Sequence, residues 1–241
     1  MRTVAFFLYF FGYLFYSIPF VSKAKKYVDS TKTVEQQNVI KQEKPKQWAR
    51  NLMKISGSDV TVLGMENLPE GKALIVSNHE GNFDIPVLMS SIPKPFGFIS
   101  KIEVKKIPVV ARWMEVMNCV FMDRKDRRQS IKAIREGIGI IKEGNSIVVF
   151  PEGTRSKGGE IAEFKSGSFR LATDAQAPIV PIALWGTSTI MEKNKGWIKP
   201  GKVVVSILPP VNHDQYKELE SKDIASLIQG MIAEERGRIS R

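Results

Sequence analysis

The sequence predicts an α/β fold: a largely parallel or mixed sheet of about seven strands flanked by helices, preceded by an N-terminal membrane-binding helix or helix pair. Three observations point there. Seven short apolar, β-rich runs recur after Gly57. Helical periodicity fills several of the gaps between them. The first twenty residues differ in kind from everything that follows.

That N-terminal stretch is uncharged from Thr3 to Val21 and contains nine aromatic residues. Its nineteen residues would span about 28 Å as a helix, at about 1.5 Å per residue, close to the thickness of a bilayer core. No A-x-A-like site follows, so a cleaved signal peptide fits poorly. Lys23, Lys25 and Lys26 come next and would keep the rest of the chain on the cytoplasmic face if the helix crosses. At 100° per residue, Arg2, Tyr9, Tyr13, Tyr16 and Phe20 share one stripe. Tyrosines in a spanning helix usually sit at its ends. A stripe running through the middle suits a helix lying in one leaflet, or packed on a neighbour, as well as a simple span.

Residues 23–47 are polar and read as a basic linker, either solvated or held to anionic lipid. Pro45 then opens a short amphipathic helix with Trp48, Leu52 and Ile55 on one face, a partner for the first. Residues 1–56 are therefore expected to form the membrane-anchoring part and residues 57–241 the catalytic domain. Strands are expected at Asp59–Leu63, Ala73–Ser77, Phe96–Ser100, Asn118–Met122, Ser146–Phe150, Ile179–Leu184 and Val203–Leu208. Between them, Ile131, Ile134, Ile138 and Ile141 mark a helix stopped by Gly144. Ile224, Leu227, Ile228, Met231 and Ile232 mark a last one.

Composition narrows the function. The net charge is +11, which favours anionic partners such as a bilayer, a phosphorylated substrate or nucleic acid. The basic residues are scattered over strand ends without a helix-turn-helix or stacking aromatics, so nucleic acid is excluded as a partner. One cysteine, Cys119, permits no internal disulfide, and two histidines with one cysteine argue against a structural metal site.

Four polar clusters directly follow expected strands: Asn78-His79; Lys101, Glu103 and Lys105; Asp123-Arg124; and Glu152-Gly153-Thr154-Arg155. Ligands of open α/β sheets bind beyond the carboxyl ends of the strands, so these clusters can converge on one crevice. His79 precedes Asp84 by five residues. Such a loop can return the aspartate to one ring nitrogen and leave the other as an aimed base. Asp84 also precedes Ile85-Pro86 and is expected to cap the next helix. A surface histidine beside a plain capping aspartate is the bland alternative. No activated nucleophile is evident: Gly153 to Gly158 has one residue too many for G-x-S-x-G, and Cys119 reads as core. A base without a nucleophile fits a substrate that brings its own hydroxyl. A thiol leaving group, with a pKa of about 8.5, needs little acid help. Arg124 and Arg155 present forks suited to phosphate oxygens, whereas Lys125, Arg127 and Arg128 read as a solvated face. His213 reads as surface.

In this order the clusters resemble the glycerolipid acyltransferase family, and its 1-acylglycerol-3-phosphate acyltransferases in particular. The family's N-H-x-x-x-x-D stands as Asn78, His79 and Asp84. Its K-x-E-x-x-x-x-P, running on to an arginine, stands as Lys101, Glu103, Pro108 and Arg124. F-P-E-G-T-R-S is complete from Phe150 to Ser156, and F-K-x-G follows as Phe164, Lys165 and Gly167. A proline in an apolar strand stands as Val180-Pro181-Ile182. The resemblance covers residues 57 to 210. It implies that His79 is the base and Asp84 its orienter. It implies that Lys101, Lys105, Arg124 and the Glu152, Gly153, Thr154, Arg155 segment bind the substrate, with Arg124 and that segment on the acceptor's glycerol phosphate. It also implies acyl-CoA or acyl-acyl-carrier-protein as co-substrate, with no metal or other cofactor. Many members place Gln or Arg, then Ser, after the histidine, where this chain has Glu80-Gly81. That departure leaves open glycerol-3-phosphate or another lysophospholipid as acceptor. A membrane-tethered protein that only binds anionic lipid would have no use for the His–Asp pair.

Overall fold

The computed structural model describes residues 1–240. Its centre is one seven-stranded sheet in the order β1-β7-β6-β2-β5-β3-β4. The strands are β1 (Asp59–Leu63), β2 (Ala73–Ser77), β3 (Gly97–Lys101), β4 (Val120–Met122), β5 (Ser146–Val149), β6 (Ile179–Trp185) and β7 (Lys202–Ile207). β6, β2, β5, β3 and β4 run parallel, β7 is antiparallel to β6, and β1 is parallel to β7. The sheet is therefore mixed. β2 and β5 are buried along their whole length and read as continuous apolar runs, as strands covered on both faces do. Edge strand β1 alternates between exposed and half-buried residues.

Strand periodicity sorts the core into two layers. Ile75, Val148, Val180 and Ile182 face one side. Leu74, Val76, Ile147, Val149 and Ile179 face the other.

The helices are α1 (Arg2–Lys26), α2 (Val34–Lys41), α3 (Glu43–Ser56), α4 (Asp84–Ser91), α5 (Pro108–Val116), α6 (Arg127–Lys142), α7 (Arg170–Thr173), α8 (His213–Tyr216) and α9 (Ser221–Ile239). Residues of α1, α3 and α4 join the first layer. Residues of α6, α7 and α9 join the second. Asp126 caps α6 by accepting from the backbone N–H groups of Arg128 and Gln129, and Gly144, at φ +93°, follows its end. In α9, Ile224, Ile228 and Ile232 form a fully buried row at four-residue steps.

The tyrosine stripe of α1 packs on α3. Tyr13 donates its hydroxyl to the Lys44 carbonyl at 3.0 Å, and Asn51 donates to the Tyr9 hydroxyl at 2.8 Å. Phe10 meets Trp48 edge to face. Phe6 reaches further and packs on Phe83, so it shares a core with the central strands. The N-terminal helices are thus part of the main packing and no loose appendage.

Residues 23–47 differ from the expected linker. α1 runs on to Lys26, and α2 begins at a capping box between Thr33 and Gln36. The segment is anchored by buried polar side chains: Asn38 donates to Asn145 at 2.7 Å, and Gln42 accepts the Phe96 N–H.

Candidate active site

The parallel strands β2, β5, β3 and β4 place the four polar clusters at one end of the sheet. Asn78 shows how the first is built. Beyond the end of β2, its side chain accepts the Leu184 N–H at 2.7 Å and donates to the Leu184 carbonyl at 2.9 Å. The amide thereby stands in for a strand neighbour and fixes where His79 leaves the sheet.

His79 Nδ1 lies 2.5 Å from Asp84 Oδ2. The same oxygen accepts the N–H groups of Glu80 at 2.8 Å and Gly81 at 3.0 Å, and Oδ1 accepts the Thr187 hydroxyl. An aspartate so surrounded by donors and fully buried is held in one position. With Nδ1 engaged by Asp84, Nε2 is the ring nitrogen left for other contacts. The ring stacks on Phe150, with centroids 4.2 Å apart.

Asp84 does not cap α4. The cap position belongs to Phe83, with no side-chain bond, because both Asp84 oxygens are occupied by the loop, the ring and Thr187. The five-residue loop is closed by the carboxylate itself.

The F-P-E-G-T-R-S segment is laced to this loop: Ser156 N–H donates to the His79 carbonyl and Lys157 N–H to the Glu80 carbonyl, at 2.8 and 3.0 Å. Gly153 turns at φ +72°, a left-handed conformation that only glycine adopts freely. Glu152, expected among the substrate ligands, is buried. Its oxygens accept the N–H groups of His79 at 2.6 Å and Ala162 at 2.9 Å. It therefore braces the His79 backbone from behind. Burial pushes its carboxyl above the ordinary range, against the pull of those two bonds.

A cavity of about 840 Å³ opens in front of His79. Its wall is largely apolar and includes Phe6, Phe10, Trp48, Leu52, Met89 and Trp113. Its polar rim carries His79, Lys101, Arg124, Gly153, Thr154 and Arg155. The structure thus brings together most of the residues singled out from the sequence. Arg124 Nη1 donates to the Gly153 carbonyl, and Arg155 Nη1 donates to Asn82 Oδ1. Lys105 is not on this rim; its ammonium lies 5.3 Å from the centre of the Phe121 ring.

Cys119 lies just before β4 on the apolar wall, and burial pushes its thiol up to about 12, far from a thiolate nucleophile. Among the described residues, no Ser, Thr or Cys side chain is hydrogen-bonded to His79. His213 sits at the start of α8, away from the cavity.

A family model described as "Acyltransferase" matches residues 59–185. The chain belongs to the acyltransferase family. Among members, it is 33% identical to a probable 1-acyl-sn-glycerol-3-phosphate acyltransferase of Mycoplasma pneumoniae, over 75% of this chain and 72% of that one. It is 38% identical to the chloroplastic 1-acyl-sn-glycerol-3-phosphate acyltransferase of Arabidopsis thaliana, over 64% of this chain and 44% of that protein. The crystal structure of the 1-acyl-sn-glycerophosphate acyltransferase of Thermotoga maritima superposes with a TM-score of 0.83 at 27% identity, covering 100% of this chain and 98% of that one. The family match begins at β1 and ends with β6, so it takes in all four clusters.

Three features of this acyltransferase were not singled out from the sequence. Thr187, in the turn after β6, completes the shell of Asp84. Glu192 accepts the Asn82 N–H at 2.7 Å and lies 3.9 Å from Arg155. A Cβ at Gly81 would sit 2.6 Å from its Oε2, so the carboxylate lies against the glycine. Glu80 is buried against Arg236 of α9. Thr187, Glu192 and Arg236 each lie more than a hundred residues from the loop residue they hold, so adjacency in the sequence does not reveal them.

Proposed function

We propose that the protein transfers a fatty acyl chain from a thioester, acyl-CoA or acyl-acyl-carrier-protein, to the free hydroxyl of 1-acylglycerol-3-phosphate, giving phosphatidate. The observation that carries this reading is the His79–Asp84 pair at the junction of a largely apolar cavity and a basic rim. One substrate part must be apolar and the other anionic, and lysophosphatidate is both.

In the proposed mechanism the phosphate lies on Arg155 and Arg124, which places the acceptor hydroxyl before His79 Nε2. The base takes the hydroxyl proton as the oxygen attacks the thioester carbonyl. The tetrahedral intermediate collapses, the C–S bond breaks, and the thiolate leaves, protonated by the imidazolium or by water. Asp84 stabilises the imidazolium that forms on the way. Transfer is direct, without an acyl-enzyme.

The membrane is the proposed partner of α1. Its length and composition suffice to cross a bilayer. Yet one side is covered by α3, while Leu8, Phe11 and Phe15 on the other are 70%, 55% and 71% exposed. A helix with one covered face and one apolar exposed face fits a pair dipped into one leaflet. The cavity, lined by Phe6, Phe7 and Phe10 of α1, would then open toward the lipid on the cytoplasmic face. An acceptor could present its headgroup without leaving the membrane.

The test is an acceptor competition with purified protein in vesicles. Lysophosphatidate, glycerol-3-phosphate and lysophosphatidylcholine compete, each with acyl-CoA and with acyl-acyl-carrier-protein. The reading expects phosphatidate as the main product. Preferential acylation of glycerol-3-phosphate would assign a different acceptor, and no acylation with either donor would overturn the enzyme reading.

A further inference from the structure

The loop that carries the base holds a second carboxylate, and it does not line the cavity. Glu80 follows His79 directly and is 1% exposed. A carboxylate taken out of water needs a cationic partner. Here the partner comes from the far end of the chain. Arg236, in the last turn of α9, donates from Nε and Nη2 to Glu80 Oε1 at 3.2 and 3.1 Å. Glu80 Oε2 accepts the Gly186 N–H at 3.0 Å and lies 3.4 Å from the Thr187 hydroxyl.

Thr187 ties this pair to the base. Its hydroxyl has one proton, and the geometry gives that proton to Asp84 Oδ1. Asp84 Oδ2 in turn holds the ring of His79 and the backbone N–H of Glu80 itself. Glu80 therefore meets Asp84 by two routes, through its own N–H and through Thr187.

We infer that Glu80 and Arg236 are positioning residues for His79. The inference rests on the reading of His79 as the base. The pair fastens the loop and the Gly186–Thr187 turn to α9, so that Asp84 and the ring keep one geometry. Without Arg236, Glu80 has two courses. It can compete with Asp84 for the Thr187 proton. Alternatively it can turn toward water and draw its backbone N–H off Asp84. Either course moves the ring, and a displacement of about 1 Å at a reacting group costs about 10²-fold in rate.

Arg236 continues the buried row of Ile224, Ile228 and Ile232 at the next four-residue step, so a cation stands where an apolar residue would extend the stripe. Neighbouring Arg238 is engaged elsewhere, with Glu235. It serves as a control on the same turn.

The experiment measures kcat and KM for both substrates, with thermal melting of each variant, in Arg236→Met, Arg236→Lys, Glu80→Gln, the double variant Glu80→Gln/Arg236→Met, Arg238→Met and His79→Ala. Arg236→Met should lose about 10²-fold in kcat with both KM values within about twofold, because neither residue lines the cavity. The double variant, free of the stranded charge, should recover about tenfold of that loss. Arg236→Lys should fall between, Glu80→Gln should lose about tenfold, and Arg238→Met should match the parent. A folded Arg236→Met with parental kcat, a loss confined to KM, or a loss that the double variant does not recover would overturn the inference. Should Arg236→Met fail to fold, Glu80→Gln decides, and parental kcat in it overturns the inference as well. His79→Ala separates the two levels. If it is inactive and the pair variants are normal, only this inference falls. If it is active, the reading of the base falls.

Discussion

Replacing Asp84 by asparagine separates two roles of a buried carboxylate beside a base. Asp84 Oδ2 accepts three donors: His79 Nδ1 and the N–H groups of Glu80 and Gly81. An amide nitrogen cannot occupy that position, since it would face two backbone donors. The asparagine oxygen must lie there and its NH2 group must replace Oδ1, where the Thr187 hydroxyl can rotate to accept. The ring then keeps its Nδ1–H bond and its tautomer. What is lost is charge. Unit charges about 4 Å apart interact by about 4 kcal/mol at an effective dielectric constant of about 20. A half-developed imidazolium in the transition state would feel about half, ~2 kcal/mol, or about 30-fold in rate at ~1.4 kcal/mol per decade. Initial rates of phosphatidate formation over a matrix of donor and acceptor concentrations should show kcat down about 30-fold and both KM values close to the parent. An Asp84→Asn protein as inactive as His79→Ala would mean that orientation, and not charge, dominates. Parental kcat would remove Asp84 from the chemistry altogether.

Three further outcomes follow from the site. Arg155→Ala and Arg124→Ala should each raise KM for the phosphorylated acceptor about tenfold or more and leave the thioester KM nearly unchanged, since the lost contacts are charge-assisted bonds to phosphate; steady-state kinetics with both substrates varied reads this, and a rise confined to the donor would reverse the assignment of the rim. Incubation with labelled thioester alone should leave the intact mass unchanged, because Cys119 is far from a thiolate and no hydroxyl is held by His79; a stable adduct on Cys119 or Ser156 would refute direct transfer. Leu8→Gln, Phe11→Gln and Phe15→Gln together should release the protein from vesicles in a flotation assay without lowering its melting temperature by more than a few degrees, because these side chains point away from the α3 side; undiminished flotation would place the membrane contact elsewhere.

Point substitutions suit this test because Phe6, on the same helix, packs on Phe83 within the main core and lines the cavity, so its removal would open the site.

Much of the architecture was legible because burial leaves a mark in short runs. β1 and β2 match their apolar stretches residue for residue, and β3 is displaced by one residue at each end. The direction of β7 was not legible: alternation reports which face is buried, and says nothing of whether the neighbour runs up or down. α2 was missed because a polar helix held by a capping box and two buried amides has no apolar stripe to reveal it. The site divides the same way. His79, Asp84, Arg124 and Arg155 follow strands and stand out by position. The buried place of Glu152 behind the histidine has no mark in the sequence, because an exposed and a bracing carboxylate look alike until the N–H donors are seen. Arg236 had a faint signal, a cation on the buried row of α9, but its partner is 156 residues away.

The central claim is that His79 deprotonates a lysophosphatidate hydroxyl for direct attack on a thioester. It is tested most directly by phosphatidate formation from lysophosphatidate and a thioester donor, comparing the parent protein with a folded His79→Ala variant in the same vesicles. The account predicts active parent protein and a loss of about 10²–10⁴-fold in kcat in the variant, the usual worth of a general base. A folded His79→Ala variant that makes phosphatidate at the parental rate would contradict it.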